Sequence, residues 1–221
     1  MQHRVFLVDD HPLVREWLTT LINQQPDMMV CGEADDSPQA LQAIGAAAPE
    51  VVLVDLALRT SSGLELIKDL RLRHPGLAVL VLSMHEEPHY VERALRAGAR
   101  GYVMKRESTK TVVTAIRTAL NGQIYLSEQL ASTVTSRLVM GPAVEAPVAC
   151  LSDRELEVFE LCGKGLGTKA IADALRVSMK TVQAYEARIK EKLGVKSMTE
   201  LLREAVRWEE RKLLQQPPPA T

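Results

Sequence analysis

Val5-Phe6-Leu7-Val8-Asp9-Asp10 is an apolar run that stops at two carboxylates, and the pattern recurs along the chain. Val51-Val52-Leu53-Val54 leads into Asp55, and Gly101-Tyr102-Val103-Met104 into Lys105. A further run, Val79-Leu80-Val81-Leu82, ends at Ser83. Short runs that are apolar at every position read as strands buried on both faces of a parallel sheet. Ligands collect beyond the carboxyl ends of such strands. Three carboxylates, a hydroxyl and an ammonium are therefore expected on one sheet edge, which is the chemistry of a cation and phosphoryl site.

Outward from these runs, strand and helix patterns alternate up to about residue 121. Strands are expected at 4–8, 28–33, 51–54, 78–82 and 101–104, and helices at 12–24, 38–47, 63–73, 88–98 and 108–121. Ser37 is the expected cap of the second helix, with Pro38 at its first position, and Ser62 with Glu65 resembles a capping box. Five βα repeats specify an α/β domain with a parallel sheet covered on both faces, whose strand order periodicity leaves open. From 122 to 148 a linker with a short helix (127–139) is expected, because Gly141-Pro142-Ala143-Val144-Glu145-Ala146-Pro147 has linker composition. Residues 149–212 read as a small all-α module. Ser152 with Glu155, and Ser197 with Glu200, are S-x-x-E boxes at two of its helix starts. The tail 213–221, with Pro217-Pro218-Pro219, is expected to be disordered or extended.

A length of 221 residues suggests one or two domains, and the formal net charge of −1 points to no polyanionic partner. The balance is local, however: residues 163–196 hold eight Lys or Arg against three acids, an excess of five positives. The cysteines, Cys31, Cys150 and Cys162, are odd in number and lack metal-type spacing, which fits a reducing cytoplasm. Neither a membrane span nor a secretory signal is read. His11, His85 and His89 fall near the expected site edge without ligand-like spacing and read as loop residues. Trp17 and Trp208 read as packing residues at helix surfaces.

Paired carboxylates at a sheet edge suit Mg2+, an oxygen-seeking cation. A third carboxylate beside that metal can attack phosphorus and become an aspartyl phosphate. Asp9 and Asp10 are then the metal-side pair, Asp55 the nucleophile and Lys105 the cation that neutralises phosphoryl charge. Ser83 can donate a hydrogen bond to a phosphoryl oxygen. Any single Asp at a strand end commonly caps the next helix, as Asp10-His11-Pro12 would do well. That reading strains when all five residues fall at successive strand ends.

Asp9-Asp10, Asp55 with Gly63 eight positions on, Ser83, Tyr102 and Lys105 together resemble the receiver domain of two-component response regulators. Leu82-Ser83-Met84-His85 and the phrase from Ala94 to Tyr102 point to one subfamily of it. The resemblance spans residues 3–121 and implies a flavodoxin-like (βα)5 fold and phosphoryl transfer from a sensor histidine kinase to Asp55. It further implies Mg2+ held directly by Asp10, Asp55 and the Ala57 carbonyl, and by Asp9 through water, with Ser83 and Tyr102 as a switch pair. One departure is Arg59, where the family usually has Pro; losing that rigid turn is expected to loosen the loop and alter phosphoryl lifetime.

In the helical module, stepping about 100° per residue from Val182 puts Tyr185, Ile189 and Leu193 toward one face. Lys180, Gln183, Ala184, Ala187, Arg188 and Glu191 fall on the other. The shorter stretch 168–175, joined by Arg176-Val177, gives helix-turn-helix spacing. The run Leu151–Val158, Gly165 through Ala172, Thr181-Val182 and Lys192-Leu193-Gly194-Val195 resemble the LuxR-type four-helix domain of NarL/FixJ regulators. Carried over by position, Gln183, Ala184 and Ala187 face base edges of double-stranded DNA, and Lys169, Lys180, Arg188 and Lys192 approach phosphates. Glu186 and Tyr185 depart from the family pattern. Two alanines offer methyl contacts and few hydrogen bonds, so shape and phosphate contacts are expected to carry much of the affinity.

The reading reached is a phospho-acceptor, not a turnover enzyme, whose phosphorylation favours a DNA-binding homodimer. Two alternatives stay open at this point. An Mg2+-dependent phosphatase would use Asp55 as nucleophile but needs a general acid and a substrate cap. An adaptor with a degenerate DNA-binding helix is suggested by Ala184, Glu186 and Ala187.

Overall fold

The computed structural model describes residues 2–58, 61–84, 88–140, 147–175 and 177–214. The chain forms two compact units, Met1–Gly141 and Pro142–Thr221. Among the described residues no helix is long and apolar enough to cross a membrane.

The first unit carries five strands: β1 (His3–Val8), β2 (Met28–Ala34), β3 (Val51–Val54), β4 (Ala78–Ser83) and β5 (Tyr102–Met104). Its helices are α1 (Pro12–Asn23), α2 (Ser37–Ala47), α3 (Gly63–Arg73), α4 (Pro88–Ala97), α5 (Thr109–Leu120) and α6 (Glu128–Met140). The strands are all parallel in the order β2-β1-β3-β4-β5, the flavodoxin-like order. The apolar runs are buried at every position, as continuous hydrophobicity requires. Val5, Leu7, Val51, Leu53, Leu80, Leu82 and Val103 pack with Leu18 and Ile22 of α1 and with Val112, Ala115 and Ile116 of α5. The alternate strand residues point to the opposite face.

Two local expectations change. Asp36, not Ser37, caps α2: its carboxylate accepts the Gln39 N–H at 2.9 Å, while Ser37 Oγ turns to Ser61 Oγ at 2.9 Å. Ser37 is thereby spent on tying α2 to the loop after β3. At α3, Ser62 accepts the Glu65 N–H at 3.4 Å, but the Glu65 carboxylate takes Lys68 at 2.7 Å. The segment 122–148 is also divided. Tyr125 bridges Gly101 in parallel, its N–H donating to Arg100 O and its carbonyl accepting from Tyr102 N–H, each at 3.0 Å. The following α6 packs on α4 and buries Leu130 and Val134. Residues 122–140 are therefore part of the first unit.

The second unit holds a 3₁₀ turn (Pro147–Cys150), α7 (Asp153–Gly163), α8 (Thr168–Ala174), α9 (Met179–Leu193) and α10 (Met198–Leu214). Leu156, Phe159, Ile171, Val182, Ile189, Leu201 and Ala205 are buried, and Trp208 meets Phe159 edge-on at 6.1 Å. Ser152 and Glu155 form a complete capping box on α7. Ser197 Oγ accepts the Glu200 N–H at 3.1 Å, while the Glu200 carboxylate reaches one residue further back, to the Lys196 N–H.

Candidate functional site

The in-register ends of β1, β3, β4 and β5 deliver their next residues to one edge of the sheet. Pairing continues just past the strands: Asp55 N–H donates to Val8 O and Lys105 N–H to Ser83 O, both at 2.8 Å. Asp9, Asp10, Asp55 and Ser83 are all buried there. Lys105 Nζ sits 2.7 Å from Asp9 Oδ2 and 2.7 Å from Asp55 Oδ2. The other Asp55 oxygen accepts the Ala57 N–H at 3.2 Å, which fixes the carboxylate plane. Tyr102 is fully buried three residues before the lysine.

Burial pushes the Asp55 carboxyl above its ordinary pKa, and the Asp9 charge adds to that push, against the pull of Lys105. Burial alone would lower Lys105, but Asp55 and Asp9 carry it above its ordinary value. Asp55 is thus raised chiefly by burial, and Lys105 by the two carboxylates it faces. The loop back from Asp55 is tight. A Cβ on Gly63 would lie 2.1 Å from Asp55 O and 2.7 Å from Leu56 Cα, so only glycine fits where α3 begins. Arg59 and His85 lie outside the described residues.

His11 is not a bystander in a loop. It is the N-cap residue of α1 and makes no side-chain capping bond. Its backbone N–H donates to Asp9 Oδ1 at 2.9 Å, and its Nδ1 lies 2.8 Å from Asp10 Oδ1 and 3.1 Å from Asp9 Oδ1. Asp10 therefore does not cap α1. Donor atoms of Asp9, Asp10, His11 and Asp55 all fall within 4.8 Å of one another. Three buried carboxylates facing one ammonium are a net-negative oxygen donor set, and this fits a hard divalent cation. His89 also leaves the loop class: it belongs to α4, with its ring 4.4 Å from that of Tyr90.

In the second unit, Ser178 caps α9 by accepting the Thr181 N–H at 3.1 Å. Val182 and Ile189 face the core, while Lys180, Gln183, Ala184, Ala187, Arg188 and Lys192 are exposed along the other side, with Lys169 exposed on α8. The Lys192 ammonium is held 2.6 Å from the buried Glu155 carboxylate. Glu186, which departs from the family pattern, lies inside the fold. It is buried and accepts from Thr168 Oγ1 at 3.0 Å, joining α8 to α9 instead of standing on the exposed face.

Residues 5–117 match the family profile described as "Response regulator receiver domain". The chain is a response regulator. Residues 149–205 match the profile "Bacterial regulatory proteins, luxR family", so a receiver domain is followed by a LuxR-type helix-turn-helix. This response regulator is 33% identical over 210 residues to the oxygen regulatory protein NreC of Staphylococcus carnosus (strain TM300), covering 92% of this chain and 97% of that protein. Identity to NreC of Staphylococcus aureus (strain JH9) is 34% over the same lengths. Among solved structures, a LuxR-family two-component response regulator from Aurantimonas sp. SI85-9A1 matches with a TM-score of 0.60 at 32% identity, over 63% of this chain and all but 1% of that one (99%). RcsB of Salmonella enterica serovar Typhimurium, bound to a promoter in the presence of the phosphomimetic BeF3−, matches with a TM-score of 0.58 at 26% identity, over 93% of this chain and 100% of that one.

Of the sequence-derived residues, Asp9, Asp10, Asp55, Ser83 and Lys105 come together at the first unit's edge, and Lys180, Gln183, Ala184, Ala187 and Arg188 share the exposed side of α9. The reading placed His11 near the edge but only as a loop residue, and it missed Asp36. For His11 the signal was adjacency to the acidic pair, which a search for ligand spacing does not weigh.

Proposed function

We propose that the response regulator accepts a phosphoryl group on Asp55 from the phosphohistidine of a sensor histidine kinase. The observation that carries this reading is Asp55 itself, a buried carboxylate with Oδ2 on Lys105 and Oδ1 on a backbone N–H. An Asp55 oxygen attacks phosphorus, the P–N bond breaks, and the imidazole leaves and regains its proton from solvent. Lys105, already 2.7 Å from two carboxylates, pairs with the phosphoryl oxygens as Asp55 loses its charge. Ser83 donates to a phosphoryl oxygen and Tyr102 packs behind it as its switch partner. Asp10, Asp55 and the Ala57 carbonyl would hold Mg2+ directly and Asp9 through water; when bound, the ion would neutralise phosphoryl charge.

The phosphorylated form is a homodimer that binds double-stranded DNA, a population shift set by the differential stability of the two states. Helix α9 enters the major groove, with Gln183, Ala184 and Ala187 toward base edges and Lys169, Lys180, Arg188 and Lys192 toward phosphates. The burial of Glu186 supports this reading, since it removes an acid from the face that would meet DNA.

The test is incubation of the full chain with acetyl phosphate and Mg2+, followed by intact mass and DNA selection from random sequence. A single phosphoryl adduct, absent in Asp55→Asn, and a selected site bound more tightly after phosphorylation are expected. Steady hydrolysis of small phosphate esters without a stable adduct would overturn the reading in favour of a phosphatase.

A further inference from the structure

Among the described residues, the imidazole of His11 is the one nitrogen donor in a cluster otherwise made of carboxylate oxygens. The carboxylates it touches are those of Asp9 and Asp10. Asp9 gives Oδ2 to Lys105 and keeps Oδ1 toward His11, and Asp55 gives Oδ2 to Lys105 as well. The lysine and the imidazole thus approach Asp9 through opposite oxygens. In octahedral coordination at about 2.1 Å, neighbouring donors are about 3.0 Å apart. The Nδ1 contacts of 2.8 Å to Asp10 Oδ1 and 3.1 Å to Asp9 Oδ1 match two such edges, the spacing of adjacent donors once a metal replaces the proton between them.

Mg2+ has little use for such a nitrogen, because it prefers oxygen and keeps its waters. Imidazole instead suits first-row transition ions, whose affinity for nitrogen-containing sites rises toward nickel and copper. The ring is also reachable, since its side chain is 37% exposed at the rim while the carboxylates beneath are almost fully buried.

We infer that His11 is a metal ligand of this pocket, giving it a mixed nitrogen–oxygen site for a divalent first-row transition ion that competes with Mg2+. Such an ion takes Asp9 and Asp10 together with the imidazole and displaces Mg2+ from the phosphoacceptor edge. The inference rests on the proposed metal-binding role of the carboxylates, and it adds a discrimination that those carboxylates alone do not supply.

The full chain is titrated with Mn2+ by electron paramagnetic resonance, and Mg2+ and Ni2+ are measured as competitors. Bound Mn2+ in the wild type is expected to show nitrogen modulation of its spin echo. His11→Asn, which keeps a good helix cap, is expected to lose that modulation. It should weaken Ni2+ at least about tenfold, the scale of a lost ligand-shell contact, and Mg2+ by clearly less. His11→Ala serves as a second variant, with circular dichroism confirming its fold. Mn2+ that binds without nitrogen modulation, or equal Ni2+ binding in wild type and His11→Asn, overturns the inference and leaves the Mg2+ site standing. Failure of every ion to bind the wild type overturns both.

Discussion

At the phosphoacceptor edge, Lys105 is poised between two carboxylates, and its removal tests how much charge the pocket tolerates. Lys105→Met leaves Asp9 and Asp55 buried without their cation, a loss on the order of 3–5 kcal/mol. Thermal melting of the full chain at low ionic strength should show a lower Tm, largely restored by Mg2+; a Tm unchanged without the ion contradicts the pairing. Gly63→Ala acts through sterics, since its Cβ would penetrate the Asp55 carbonyl. Displacing the start of α3 costs about 3 kcal/mol or more, at the severe end of overpacking. It should also remove the phosphoryl adduct, which intact mass checks. The site carboxylates were legible because each ends an apolar run, and a parallel sheet sends such residues to a common edge. His11 was not, because an imidazole's neighbours depend on a side-chain torsion that spacing does not encode. Glu186 was half legible: it lies about 40° from Val182 on the helical circle, on the inward seam, but nothing in the spacing names Thr168 as its partner.

Among the elements, β5 is held on its outer side by residues the sequence assigned to a linker. Glycine and proline composition marks where a chain can bend, not whether the residues before it find a strand to pair with. Gly101 makes that pairing possible, for a Cβ there would sit 2.8 Å from Tyr125 O and 2.8 Å from Leu80 Cδ1. Gly101→Ala should break the Tyr102 N–H to Tyr125 O bond, seen as faster amide exchange at both residues, and cost about 1–3 kcal/mol. In the second unit, burial raises the Glu155 pKa, but hydrogen bonds from Lys192 and Ser152 outweigh it and hold the carboxyl below its ordinary 4.5. A depressed carboxyl stabilises the fold above the unfolded value, and the contribution fades as pH falls through the folded value. Glu155→Gln should therefore lower stability by about 1–3 kcal/mol at pH 7, and by progressively less as the solution is acidified below 4.5. Calorimetry of the full chain across that range reads the difference.

Taken whole, the response regulator hides its basic helix-turn-helix within a chain of net charge −1. The order of the strands followed from the family resemblance, whereas periodicity supplied only their number and direction. DNA affinity should be strongly salt-dependent, and Lys180→Ala or Arg188→Ala should each reduce the log–log salt slope by about 0.9, one phosphate's worth. Fluorescence anisotropy on one fixed duplex at several salt concentrations decides it, and an unaltered slope removes that residue from the contact set. The bridge between Gly101 and Tyr125 has a bearing on assembly as well. An open parallel sheet ends in strands whose outer amides and carbonyls invite another chain to add on. On the β5 side the outward Arg100 carbonyl and Tyr102 amide are already taken by the protein's own backbone. Another strand therefore cannot pair at Arg100 and Tyr102 without first displacing Tyr125. The molecule carries its own guard against runaway strand addition, and association on that flank falls to side chains, where it can be made reversible.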